Sequence, residues 1–311
     1  GISGSHTLEK FVNEVREEED DPLEAASLQE RLRARMMDNG SKYADRKDLP
    51  IGALGAGSDY TPFLHHAGIA SLNMGMGGET GGGSYHSAYD SFDYYTRFMD
   101  PTFEYGVTLA KSTGRVTLRL ADTDVLPFRF TNFVDHVTQY AKELKEFAVE
   151  IREKTKHNNT LVDQNAYSLA AHPDKTYVSP IKLDSVPLFD FSPIDNALAR
   201  LRTSANRYEV ALTNNIKKGG RPSGEEAQNL NQILMKSERA MMREEGLPRR
   251  DWFKHMIYAP GLYTGYGVKT LPGIREGLEE RKWDEVNLFI GEVAAALNRV
   301  ADELDKATSL L

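Results

Sequence analysis

The residues best placed for chemistry sit in the glycine-rich run Gly81-Gly82-Gly83-Ser84-Tyr85-His86-Ser87, which delivers one histidine, flanked by a tyrosine, from a flexible backbone. A loop imidazole can ligate a metal, but a dedicated site takes three or four ligands, so His86 alone reads equally as a solvated loop residue. If it is a ligand, this chain holds only part of an active site. The other histidines read as structural. His65 and His66 are adjacent on a helix and point in different directions, one of them toward solvent. His136, His157, His172 and His255 lie in or near helical segments with no carboxylate at ligand spacing. A second feature is the turn Gly55-Ala56-Gly57-Ser58-Asp59-Tyr60. It falls short of a dinucleotide fingerprint because Tyr60 stands where the third glycine belongs. Its place between an apolar run and a helix allows two readings: backbone N–H groups that hold a carboxylate, or a tight turn capped by Ser58 or Asp59. His-Glu-x-x-His, a phosphate loop ending in Gly-Lys-Ser/Thr and Gly-x-Ser-x-Gly are all absent.

Composition bounds what these residues can serve. At 311 residues the chain has length for about two domains. Hydrophobic content of 40% with 27% charged residues is that of a globular protein. A net charge of −8, from 46 acidic against 38 basic residues, argues against nucleic acid as partner. No apolar run approaches the ~18–20 residues that span a bilayer, so no membrane contact is expected from this chain. With no cysteine, disulfides, thiolate metal sites and cysteine nucleophiles are excluded within it. The opening Gly1-Ile2-Ser3-Gly4-Ser5-His6 has neither an initiator Met nor a signal-peptide pattern, while Leu8, Phe11, Val12 and Val15 follow at helical spacing. This pattern predicts entry in mid-domain, as in a processed product or one half of a longer polypeptide.

Two textures divide the chain. Up to about residue 122, short apolar runs bounded by glycine, Ile51-Gly52-Ala53-Leu54-Gly55 and Ile69-Ala70-Ser71-Leu72-Asn73-Met74, flank a predicted helix over 59–67. They predict buried strands of an α/β sheet. From Arg129 the pattern is helical, beginning with the stripe Phe130, Phe133, Val134, Val137, Tyr140, Ala141, Leu144, Phe147, Ala148 and Ile151. A second helix is marked by Ser192 as N-cap, Pro193 at the first turn and Asp195 against the dipole. A third is expected from near Gly224, and a last from near Trp283 with Val286, Phe289, Ile290, Val293, Leu297, Val300 and Leu304 on one face. Four such helices predict a bundle. Lys217-Lys218-Gly219-Gly220-Arg221-Pro222 reads as a solvated interhelical loop, and Asn39-Gly40-Ser41 and Asn158-Asn159-Thr160 are glycosylation sequons of low specificity.

In this order, the segment from Gly55 through Ser71, Tyr85-His86-Ser87-Ala88-Tyr89-Asp90-Ser91, Asp100-Pro101-Thr102-Phe103, Tyr258-Ala259-Pro260 and Pro272-Gly273-Ile274 resemble the C-terminal half of the glutamate carboxypeptidase II and transferrin receptor-like zinc exopeptidases. The resemblance covers nearly the whole chain. It implies that residues 1–122 are the C-terminal portion of a zinc-peptidase α/β sandwich and that residues 123–311 are an all-α helical domain mediating homodimerisation. His86 aligns with the last zinc ligand. The remaining ligands and the general-base Glu precede this region in the family, so an upstream segment of the same precursor would supply them. Two zinc ions need bridging and terminal ligands together to polarise a carbonyl and activate water, which one imidazole cannot arrange. Tyr85 aligns with a tyrosine placed to stabilise a tetrahedral oxyanion. Gly57 and Ser58 align with substrate-contacting positions, and Tyr266 with a tyrosine that binds a terminal carboxylate from a loop of the helical domain. An extracytoplasmic location (periplasmic, secreted or ectodomain) is implied on the same ground.

Departures from the family are informative. Gly265 stands where the glutamate-specific enzyme has a lysine, and Asn73 and Gly75 stand where it has two arginines. Losing three cations removes the charge-assisted partners of an acidic side chain, so a neutral or apolar substrate residue or a broad peptide specificity is expected. Aminopeptidase and carboxypeptidase action are both open. Two functions follow: a zinc exopeptidase acting on short peptides, or a receptor-like dimeric binding or scaffold protein that keeps the shell without the metals. Retention of His86 and Tyr85 favours the enzyme. A stand-alone helical module is argued against by the strands expected in the first third.

Overall fold

The apolar stripes that dominate the last two thirds of the sequence become long helices packed on one another. A computed structural model describes every residue except 78–83, 218 and 221. Strand β1 (Ile2–Gly4) and a short 3₁₀ turn (His6–Leu8) lead into α1 (Glu9–Glu17), followed by α2 (Leu28–Asp38), α3 (Tyr60–His65) and β2 (Leu72–Met74). A single turn, α4 (Phe92–Tyr94), runs on as a π turn (Tyr95–Met99) before α5 (Glu104–Asp122). The helical part comprises α6 (Thr131–Asp163), α7 (Ala166–Ala170), α8 (Ser192–Lys217) and α9 (Gly224–Arg239). It continues with the hairpin β3 (Tyr258–Pro260) and β4 (Val268–Thr270), then α10 (Pro272–Glu279) and α11 (Trp283–Ser309). Helix α11 packs along α8 and against α9 and α10, while α6 packs on α8. Leu201, Tyr208, Leu230, Leu297 and Val300 are all fully buried in the shared core. The predicted stripes therefore lie inward, as the four-helix expectation required.

The expected α/β sheet is present only in small pieces. β1 pairs antiparallel with β2 in the register Ile2↔Met74, Ser3↔Asn73 and Gly4↔Leu72. On its other side β1 meets the 51–55 run through a single parallel bridge at Gly52, held by Gly4 N–H to the Gly52 carbonyl at 2.8 Å and Gly52 N–H to the Ile2 carbonyl at 3.2 Å. Ile51 and Leu54 are buried as predicted, yet the run forms no strand, because a ladder needs a lateral neighbour along its length and burial alone does not supply one. β2 is only half-buried. The first third thus holds more helix than strand, joined by long irregular segments, and the argument from strand content against a helical module does not hold.

Two capping expectations are corrected. Ser192 is already helical; its N–H donates to the Asp190 carboxylate at 2.9 Å, and the Phe191 carbonyl accepts from Ile194 and Asp195. The serine's own side-chain and backbone hydrogen bonds hold the Asp190 carboxyl below its usual range. Asp195 does stand in the first turn as expected, and it also pairs with Lys145 of α6 at 2.5 Å. At α3 neither Ser58 nor Asp59 caps through its side chain. The Ser58 carbonyl accepts the N–H and hydroxyl of Thr61. Gly219 and Gly220 continue from α8 as a loop as expected, with Lys218 and Arg221 outside the described residues. The Asn158 side chain, far from free, donates to the Ile181 carbonyl and accepts from the Tyr167 hydroxyl.

Candidate active site

The turn after the 51–55 run and the loop between β3 and β4 meet. The Ala56 N–H donates to the Tyr266 carbonyl at 3.1 Å. A β-carbon on Gly55 would lie 2.0 Å from that carbonyl oxygen and 2.8 Å from the Val268 nitrogen, so only glycine permits the approach. Gly57, at φ +108°, lies under the Tyr266 ring, whose atoms a β-carbon would meet at 3.0 Å. Tyr266 nevertheless keeps 62% of its surface exposed, so its phenol faces solvent from a fixed perch. Ser58 is exposed beside it. The Ala56 N–H is committed to the Tyr266 carbonyl and the Ser58 carbonyl to Thr61, which leaves the Gly57 turn and the Tyr266 ring packed together at the surface.

The Tyr85 and His86 rings stack at 3.8 Å between centroids, both exposed, with His86 in the left-handed region at φ 57°. Gly81, Gly82 and Gly83 lie outside the described residues. The two pairs, Gly57 with Tyr266 and Tyr85 with His86, are not joined by a hydrogen bond or ring contact among the described residues. Exposure suits each of the named side chains to bind something that is not this chain.

His6, His65, His136 and His255 are tied into the interior by partners distant in sequence, while His157 and His172 are exposed. His65 is fully buried and its Nε2–H donates to the Gly55 carbonyl, while His66 is exposed and stacks on Trp252 at 4.8 Å. One of the adjacent pair faces solvent, as expected. The reading of His136 and His255 as lacking carboxylate partners is overturned. His136 Nε2–H donates to Glu9 Oε2 at 2.6 Å, and His255 donates from Nε2 to Glu238 at 3.2 Å because its Nδ1 accepts the N–H groups of Ile257 and Tyr258. His6, unremarked in the sequence, stacks on His136 at 3.7 Å and reaches the Tyr140 hydroxyl at 2.7 Å. Burial, then the His136 ring and Arg46, push the His6 pKa well below its ordinary value. His6, Glu9 and His136 have ligand atoms within 4.8 Å of one another. The Arg46 guanidinium 3.8 Å from Glu9 and the Ile51 N–H on the same carboxylate already serve its charge, so the group acts as a hydrogen-bonded seam between α1 and α6.

Burial, then the nearby His255 ring, lowers the His65 pKa to about 4. The unfolded chain takes up a proton there near pH 6.5 while the folded chain resists, so this contribution to stability is whole above pH 6.5 and is lost as pH falls toward about 4. We expect urea-unfolding free energies to fall across that window more steeply in the wild type than in His65→Gln, by up to about 1.4 kcal/mol per pH unit. Equal slopes would mean that His65 takes up its proton in the folded chain over the same pH range as in the unfolded one.

Comparison with known proteins adds to this geometry. Residues 189–305 match the transferrin receptor-like dimerisation domain. A probable glutamate carboxypeptidase, LAMP1, of Arabidopsis thaliana is 31% identical over 255 residues, covering 79% of this chain and 31% of its own. The aminopeptidase NAALADL1 of Rattus norvegicus is 26% identical over 296 residues, covering 88% and 34%. The chain belongs to the glutamate carboxypeptidase and transferrin receptor-like family. It spans about a third of the length of the curated relatives it matches. Not every relative is active: a Schizosaccharomyces pombe protein named as an inactive zinc metalloprotease is 23% identical over 251 residues, covering 79% of this chain and 28% of its own. No helix is long and apolar enough to cross a membrane among the described residues.

Proposed function

We propose that this chain is part of a co-catalytic two-zinc exopeptidase acting on short peptides, with the other zinc ligands and the general-base Glu supplied by an upstream segment of a longer polypeptide. The observation that carries this reading is the seating of the exposed Tyr266 phenol on the Gly57 turn, which makes a binding surface from two segments far apart in sequence. Residues 1–122 form the end of the peptidase domain and residues 123–311 the helical domain through which the protein dimerises. The location is extracytoplasmic.

His86 fits a metal ligand: its ring is exposed, stacks on Tyr85 and carries no hydrogen bond among the described residues. It is one ligand of a set. When bound, two zinc ions would polarise the scissile carbonyl and activate water near neutral pH. Tyr85, 73% exposed, would donate its hydroxyl proton to the oxyanion that develops as the carbonyl is attacked. Gly57, Ser58 and Tyr266 would hold the peptide beside it. At the positions where an acidic side chain would find its cations stand Gly265, with open space around it, and Asn73 and Gly75 at the exposed end of β2. Neutral or apolar side chains are therefore the expected substrate residues.

The relative named inactive favours a second reading, a receptor-like dimer without metals. Counting zinc in the purified full-length protein separates the two. Close to two zinc ions per copy, with cleavage of short neutral peptides, is the expected result. A protein that contains the upstream segment, binds essentially no zinc and cleaves nothing would establish the receptor-like reading instead.

A further inference from the structure

The loop that carries Tyr266 is held from beneath by a buried ion pair. Arg250 and Glu276 have side chains only 8% and 5% exposed, and Arg250 Nη2 meets Glu276 Oε2 at 2.5 Å. Each partner also grips the loop's first strand exit. Arg250 Nη1 donates to the Pro260 carbonyl, and Glu276 Oε1 accepts the Leu262 N–H at 2.8 Å. The loop then closes on itself, Gly261 N–H donating to the Gly267 carbonyl at 2.9 Å and Gly267 N–H to the Thr264 carbonyl at 3.2 Å. Its far side rests on the 55–57 turn through the Ala56 hydrogen bond. Glu276 belongs to α10, which packs against α6 and α11. Burial raises the Glu276 pKa, opposed by the Leu262 N–H and by Arg250, so the charge is kept at a cost. An apolar pair of similar volume would often serve stability as well. What an ion pair adds is direction, since each group must point at a fixed partner.

We infer that Arg250 and Glu276 are positioning residues for peptide binding, fixing the height of the 261–267 loop so that the Tyr266 phenol stands over the Gly57 turn at the distance a peptide terminus requires. Through them the helical part of the chain sets substrate affinity without touching substrate. The inference rests on the proposed role of Tyr266 in binding.

The test uses full-length protein and the tripeptides Ala-Ala-Leu and Ala-Ala-Glu, with calorimetric Kd as well as KM and kcat. Glu276→Gln keeps an acceptor for the Leu262 N–H but abolishes the charge that aims Arg250. Arg250→Lys keeps the charge but cannot reach Glu276 and the Pro260 carbonyl together. Both are expected to raise Kd and KM for Ala-Ala-Leu about tenfold with kcat within about twofold, a misplacement effect smaller than the ~10² of a full ångström. In a Tyr266→Ala background neither should add anything, because the pair acts through that ring. Unchanged Kd in the folded single variants, or the same increment with and without Tyr266, would overturn the inference. Binding without cleavage in the wild type would instead overturn the peptidase reading and leave the Kd test intact. A wild type that binds neither tripeptide would overturn both.

Discussion

His86→Ala in the full-length protein is expected to lower peptidase kcat/KM by about 10³-fold or more while leaving the fold intact. Losing a ligand forfeits several kcal/mol of transition-state charge stabilisation, and each 1.36 kcal/mol is a factor of ten in rate. The same substitution should cost no more than about 0.5 kcal/mol of stability, because the ring is exposed, stacks on Tyr85 and makes no hydrogen bond among the described residues. Zinc per copy should fall together with activity. Retained activity at wild-type zinc content would remove His86 from the ligand set and with it the chain's one contribution to the metals.

Gly55→Ala should be nearly as damaging from a residue with no chemistry of its own. The added methyl would sit 2.0 Å from the Tyr266 carbonyl oxygen and 2.8 Å from the Val268 nitrogen, both backbone atoms that cannot swing aside. Turn and hairpin must part by about an ångström, which costs ~10²-fold in kcat/KM when the displaced group positions substrate. Overpacking adds about 1–3 kcal/mol of destabilisation. Gly57→Ala should be milder in contact, since its β-carbon meets a ring that can rotate, but strained by its φ of +108°. Gly114→Ala in α5 is the control. Nothing lies within 4 Å of its β-carbon, and it should stabilise by about 0.5–1 kcal/mol with activity unchanged. If Gly55→Ala binds and cleaves like the wild type, the contact between turn and loop has no part in function.

The helices were legible where their inner faces are large and apolar. The stripes over α6, α8, α9 and α11 announce themselves because Phe133, Leu144, Leu201, Leu230, Phe289 and Leu297 recur on one face and are buried. Helix α5 escaped the same reading. Its buried face is Thr108, Ser112 and Val116, small and polar residues that carry almost no hydrophobic period. α2 escaped too, with Gln29 as its one buried residue, although the capping box of Ser27 and Glu30 that opens it was a local signal to be found. The strands were half legible: Ile51 and Leu54 are buried, but whether a buried run becomes a ladder depends on a neighbour elsewhere in the chain.

The candidate site divides along the same line. By itself the sequence determined the helical stripes, the exclusion of thiol chemistry, and, through its motifs, the family and the positions of Tyr85, His86, Gly57, Ser58 and Tyr266. These are matters of residue type and local order, which the chain carries wherever it goes. Tertiary structure alone decided that Tyr266 sits on Gly57, that His136 finds Glu9 and His255 finds Glu238, and that Arg250 and Glu276 grip the loop from below. Each of those contacts joins residues on different elements. Pairwise chemistry across elements is set by which faces the packed helices leave opposite one another, and no spacing along the sequence encodes that.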